Sequence, residues 1–121
     1  MKIYESGENY LETIYILRKR LGEVRAVDIC AELGYSKPTV SVTLKKFRSE
    51  NYVTVDKNGH IELTDKGLEI AERMYERHND LAEMLMAMGV DKETAYEDAC
   101  RIEHHISDKS FRCMQAYFRK R

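Results

Sequence analysis

The sequence predicts a mostly α chain: an N-terminal winged helix-turn-helix with a short two-stranded wing, followed by a C-terminal helical unit. Three observations carry this. Two short helical patterns, residues 26–33 and 36–48, flank a tight turn at Gly34-Tyr35, the spacing of a helix-turn-helix. Asn58-Gly59 then separates alternating apolar runs at 52–55 and 61–63, which marks a hairpin. From Thr64 onward apolar residues recur only at helical spacing. Two domains are expected, 1–66 and 67–121, meeting inside the fourth helix.

The elements follow in order. Residues 6–21 read as a first helix, with Tyr10, Ile14, Leu17 and Leu21 as its stripe and Leu11 and Tyr15 beside it. Ser6 is placed to cap it, and Gly22 ends it. Asn9 and Glu12, three apart, share a polar face. The second helix stops at Gly34. Ser36 caps the third, with Pro38 in its first turn, where a missing N–H costs nothing. Its buried stripe is Val40, Leu44 and Phe47. Thr64 caps a long fourth helix whose stripe is Ala71, Met74, His78, Leu81, Leu85 and Met88. Asp91 opens a fifth helix carrying an apolar stripe of Ala95, Ala99, Ile102 and Ile106. A last helix begins at Ser107-Asp108, with Phe111, Met114, Tyr117 and Phe118 apolar, and ends in Arg119-Lys120-Arg121.

Composition narrows the function classes. The chain has 121 residues, 43% hydrophobic and 34% charged, ordinary for a mainly helical protein without a membrane partner. No apolar run approaches the ~20 residues that span a bilayer, and residues 1–6 lack an apolar signal region. Three widely spaced cysteines without a CxxC pair point to a reducing, cytoplasmic setting. Cys30 and Cys113 read as small core residues. The net charge of −1 is uninformative, but residues 36–48 hold Lys37, Lys45, Lys46 and Arg48 and no acid. Such a local basic face can contact phosphates within a Debye length of ~10 Å.

On that third helix, Ser36, Pro38, Thr39, Ser41, Val42 and Thr43 would lie near base edges in a major groove, with Lys37, Lys45 and Lys46 nearer the phosphates. The partner expected is double-stranded DNA. With no Arg, Asn or Gln on the reading face, recognition would rest on hydroxyls, thymine methyl contacts and DNA shape. The second constellation lies at 97–105. Read as one helix, it sets Cys100, Glu103 and His104 at i, i+3 and i+4, a thiol, a carboxylate and an imidazole on one face. Those are donors for a divalent transition metal. Glu97 reads equally as a salt-bridge partner of Arg101, and His78, within an apolar stripe, as either a core residue or a ligand. Cys100 with His104 could be drawn as a nucleophile and base, but no oxyanion hole, substrate cleft or H-E-x-x-H run accompanies them, so neither an enzyme nor an organic substrate is expected. A regulator responding to thiol oxidation or a small molecule is the alternative to one responding to metal.

Four segments carry a family resemblance: Glu-Asn-Tyr-Leu-Glu-Thr-Ile-Tyr at 8–15, Ser-Lys-Pro-Thr-Val-Ser at 36–41, Leu-Thr-Asp-Lys-Gly at 63–67 and Asp-Ala-Cys-Arg-Ile-Glu-His at 98–104. Over essentially its whole length the chain resembles the diphtheria toxin repressor family, which includes iron-dependent and manganese-dependent transcriptional repressors of metal uptake. The resemblance implies a homodimer with an N-terminal winged helix for operator DNA and a C-terminal helical dimerisation domain, controlled by a divalent metal bound between them. Carried over by position, the ligands fall on Asn9, Glu12, His78, Cys100, Glu103 and His104. Glu97 matches a position that is histidine in iron-type members. Departures are informative. Asn9 stands where iron-type members have Met and manganese-type members Asp. Cys100 is the iron-type residue, where manganese-type members have Glu, and Val42 replaces a base-reading Gln. The length is manganese-type, without an SH3-like third domain. Fe²⁺ is the metal expected first, then Mn²⁺, with Co²⁺, Ni²⁺ or Zn²⁺ able to bind in vitro.

Overall fold

Helices α1 (Glu5–Leu21), α2 (Ala26–Leu33) and α3 (Lys37–Ser49) precede the strands β1 (Val53–Val55) and β2 (Ile61–Leu63). Helices α4 (Asp65–Ala87), α5 (Lys92–Ile102) and α6 (Asp108–Arg119) follow. These bounds come from a computed structural model, which describes residues 5–119. The cap expected at Ser6 and the basic residues at 120 and 121 lie outside the described residues and side chains. The chain forms two compact units, one up to Glu72 and one from Arg73.

In the first unit, local chemistry sets the element boundaries. Gly34 closes α2 with φ +72° and donates its N–H to the Cys30 carbonyl at 2.9 Å, the left-handed stop that glycine allows. Ser36 caps α3, its hydroxyl accepting from the Thr39 N–H at 3.3 Å, with Pro38 in the first turn. The strands pair antiparallel, Val53 opposite Leu63 and Val55 opposite Ile61. The Ile61 N–H also donates to the Val24 carbonyl at 2.7 Å, tying the wing to the segment before α2. At the wing tip the Asp56 carboxylate accepts from the N–H groups of Asn58 (2.8 Å) and His60 (2.9 Å). These bonds, that of His60 foremost, hold its carboxyl below the usual range. Leu11, Ile14, Leu17, Val24, Ile29, Val40, Tyr52 and Ile61 are buried together, and each aliphatic side chain removed from water contributes about 1.5–3 kcal/mol.

Thr64 performs the predicted capping of α4: its hydroxyl oxygen accepts from the Gly67 N–H at 3.1 Å and its O–H donates to the Asn51 carbonyl at 2.6 Å. Gly67 meets the β1 end of the chain so closely that a Cβ there would lie 2.2 Å from the Tyr52 carbonyl oxygen.

In the second unit, α4 from Arg73 packs with α5 and α6 through Leu81, Ala82, Met84, Ala95, Ala99 and Phe111. Asp91 caps α5, accepting from the Thr94 N–H at 3.0 Å, and that bond holds its carboxyl below the usual range. Ser107 caps α6 through the Ser110 N–H at 3.1 Å.

Several expectations are corrected. The α5 helix stops at Ile102, so the stretch 97–105 is not one helix. Glu103 still donates its N–H to Ala99, but the His105 N–H turns back to Ile102, tightening the chain into a turn that also carries Ile106 past the helix end. Leu21, in the final turn of α1, and Met88, just beyond the end of α4, are exposed. Cys113 is exposed: two positions after the buried Phe111 it lies ~200° around the helix. Arg101 pairs with Asp98 at 2.9 Å, not with Glu97.

Candidate metal centre and nucleic-acid face

Glu103 is the centre of the second unit's polar cluster. As the C-cap of α5 it is drawn inward and is 0% exposed. One carboxylate oxygen lies 3.2 Å from Nδ1 of His78, on α4, and the other 3.1 Å from Nε2 of His104, in the turn. Cys100, one turn earlier on α5, is exposed at the surface, yet His78, Cys100 and Glu103 each offer one ligand atom within 4.8 Å of the others. Tyr96 supports the His78 ring, with ring centroids 5.4 Å apart.

This donor set fits a divalent transition metal. Burying a carboxylate costs several kcal/mol unless cations or donors compensate. Here two imidazoles are set against Glu103, and they serve either as protonated partners or as neutral metal ligands. Imidazole, thiolate and carboxylate together suit borderline first-row ions.

Three predicted ligands remain: Glu97, Asn9 and Glu12. Glu97 is exposed and is not among the groups whose donor atoms converge. Asn9 is half-buried on α1, and Glu12, which shares its polar face, is only 4% exposed. Both belong to the first unit. Sequence reasoning passed over Arg77. It is 5% exposed, donates to the carbonyls of Glu103 (3.2 Å) and Ile106 (3.1 Å), and pairs with Asp108. Gln115, also buried, donates to Asp80 at 2.6 Å. Spacing could have found both: Arg77 sits three residues after Met74 and four before Leu81, and Gln115 four after Phe111.

In the first unit α3 buries Val40, Leu44 and Phe47. Its other side presents Ser36, Lys37, Pro38, Thr39, Ser41, Val42, Lys45 and Lys46 to solvent. Thr43 is half-buried, its hydroxyl donating to the Thr39 carbonyl at 3.0 Å. The Ser36 and Thr39 hydroxyls bond to each other at 2.8 Å. Val42 is thus an apolar projection among hydroxyls, with cations on the following turn.

Comparison with known proteins assigns both units. Residues 2–61 match the family model "iron dependent repressor, N-terminal DNA binding domain". Residues 64–120 match "iron dependent repressor, metal binding and dimerisation domain". Transcriptional regulator MntR of Escherichia coli O6:H1 is 33% identical over 113 residues, 93% of this chain and 73% of that protein. HTH-type transcriptional regulator MntR of Bacillus subtilis is 36% identical over 102 residues, 84% of this chain and 72% of that protein. The structure of the manganese regulator SloR superposes with a TM-score of 0.79 at 28% identity, covering 98% of this chain. The chain spans 55% of that solved chain. Among the described residues no helix is long and apolar enough to cross a membrane.

Proposed function

The chain belongs to the diphtheria toxin repressor family of metal-dependent, DNA-binding transcriptional repressors, and from that premise we propose that His78, Cys100, Glu103 and His104 hold the divalent metal to which its operator binding responds. The observation that carries this reading is the fully buried Glu103 carboxylate set between two imidazoles, with the Cys100 thiol alongside. Asn9 and Glu12 join the proposed ligand set on the family likeness. Glu97, exposed and apart from the converging donors, is left outside it.

The bound ion supplies Lewis-acid charge that neutralises the anionic donors. The rest is done by the chain. With Glu12 engaged, the DNA-binding unit is restricted in orientation, and in a homodimer the two α3 helices can be presented to successive major grooves, ~34 Å apart or a multiple of it. A few kcal/mol of differential metal affinity between a restricted and an unrestricted DNA-binding unit suffices to switch DNA binding. The target is double-stranded operator DNA controlling metal homeostasis genes, and the compartment is the cytoplasm.

Metal choice turns on Cys100. A thiolate favours Fe²⁺, Co²⁺ or Zn²⁺, whereas carboxylate and amide donors favour Mn²⁺. Fe²⁺ is the first choice and Mn²⁺ the second. Cys100→Glu is expected to raise Mn²⁺ affinity relative to Co²⁺ about tenfold, a shift of ~1.4 kcal/mol, in competition titrations. An unchanged ranking removes Cys100 as the selector.

Lys45→Ala tests the α3 face. It is expected to weaken binding to all duplexes alike and to reduce the salt slope by ~0.9. An unchanged slope removes that phosphate contact.

A further inference from the structure

We infer that Arg77 is a positioning residue for the metal centre: its guanidinium holds the turn that presents Glu103 and His104. The inference rests on the metal reading above and adds to it a residue that offers no donor to a cation.

Four contacts carry it. Arg77 lies one residue before His78 on α4 and is 5% exposed. One guanidinium nitrogen donates both to the Glu103 carbonyl (3.2 Å) and to the Ile106 carbonyl (3.1 Å). These carbonyls open and close the turn from α5 to α6, where chain direction changes and no helical N–H is available to them. The other terminal nitrogen pairs with Asp108 in the first turn of α6. The guanidinium carbon lies 5.2 Å from the centroid of the Phe111 ring, which fixes the plane of the group. One rigid fork thus fastens the end of α5, the turn and the start of α6 to α4.

The geometric consequence concerns the cluster. His78 follows Arg77 on the same helix, and Glu103 and His104 lie on the turn that Arg77 grips. The 3.2 Å separation of His78 from Glu103, which spans α4 and the turn, therefore depends on a residue outside the donor set, and His104, adjoining Glu103 and 3.1 Å from it, is carried on the same turn. Supporting groups around a metal ligand commonly govern affinity by 10–100-fold. A lysine keeps the charge but is a point donor on a flexible stem and lacks the planar fork.

The test uses the full chain and Co²⁺ as the probe, with two readouts: affinity by titration and the thiolate-to-cobalt charge-transfer band of Cys100. Melting of the metal-free protein by circular dichroism runs in parallel. Arg77→Met is expected to weaken Co²⁺ binding at least tenfold and to alter the band. Arg77→Lys should melt close to wild type yet bind with intermediate affinity and a shifted band. Asp108→Asn, which leaves both carbonyl bonds in place but weakens the tie to α6, should bind more weakly than wild type and more tightly than Arg77→Met. Wild-type affinity and band in Arg77→Lys overturn the inference, even if Arg77→Met fails to fold. A wild-type chain that binds Co²⁺ without any charge-transfer band overturns the Cys100-containing centre itself, and the inference with it.

Discussion

Glu103→Gln abolishes metal-stimulated DNA binding and leaves the metal-free protein folded, at unchanged or raised stability. Glutamine keeps the volume of the side chain but removes a charge that is 0% exposed and faces two imidazoles. Melted at about pH 8, where an ordinary imidazole is neutral, the variant loses a buried charge without leaving an unpaired one, so the apo protein does not suffer as it would from a cavity. Metal binding does suffer. Outer partners alone are worth 10–100-fold, so replacing an anionic ligand should weaken binding by more than about 100-fold. Fluorescence anisotropy with and without metal, beside thermal melts of the apo protein, checks both halves. A full metal response in Glu103→Gln places the centre elsewhere. A loss of response accompanied by unfolding makes Glu103 a structural residue.

The second large effect is on stability. Gly67→Ala puts a methyl carbon 2.2 Å from the Tyr52 carbonyl oxygen and 3.4 Å from the Leu63 side chain. Backbone cannot swing aside as a flexible side chain can. That carbonyl also accepts from the Thr64 N–H at 3.1 Å, so moving it strains the cap of α4 and the end of the hairpin together. Overpacking a tight interior site typically costs 1–3 kcal/mol, and the backbone clash places this substitution at about 3 kcal/mol. The melting temperature should fall on the order of 10 °C. An alanine variant that melts within a degree or two of wild type shows that α4 can shift freely past Tyr52.

What could be read from the sequence was the locally determined part. Gly34 and Ser36 carry their own stop and start signals, and α2 runs over the residues expected. Asn58-Gly59 lies between the expected strands, and Ser107 and Asp91 cap as read. What could not be read depends on distant chain. The end of α5 at Ile102 is fixed where Arg77, some 26 residues earlier, takes the carbonyls that a longer helix would have used. Arg77 and Gln115 fall on buried stripes by spacing, yet polarity argued them outward, because their partners (two carbonyls, and Asp80) lie on other elements. The need for glycine at 67 is invisible locally, since its cause is the Tyr52 carbonyl. Of the proposed metal donors, the spacing of Cys100 and Glu103 was sufficient to bring them together on one turn. The contribution of His78 was ambiguous until the fold set it 3.2 Å from Glu103. Glu97 has suitable chemistry but is exposed and is not among the converging donors.

The most direct test of the account is whether this chain binds DNA in response to metal. A duplex is selected from a random-sequence pool with wild-type protein and Fe²⁺ under anaerobic conditions, and its binding is titrated with Fe²⁺, Mn²⁺, Zn²⁺ and chelator. The account predicts that at least one of the divalent ions tightens binding by a factor of 10 or more, ~1.4 kcal/mol or beyond, with Fe²⁺ ahead of Mn²⁺, and that chelator reverses it. Equal binding with metal and with chelator would contradict it.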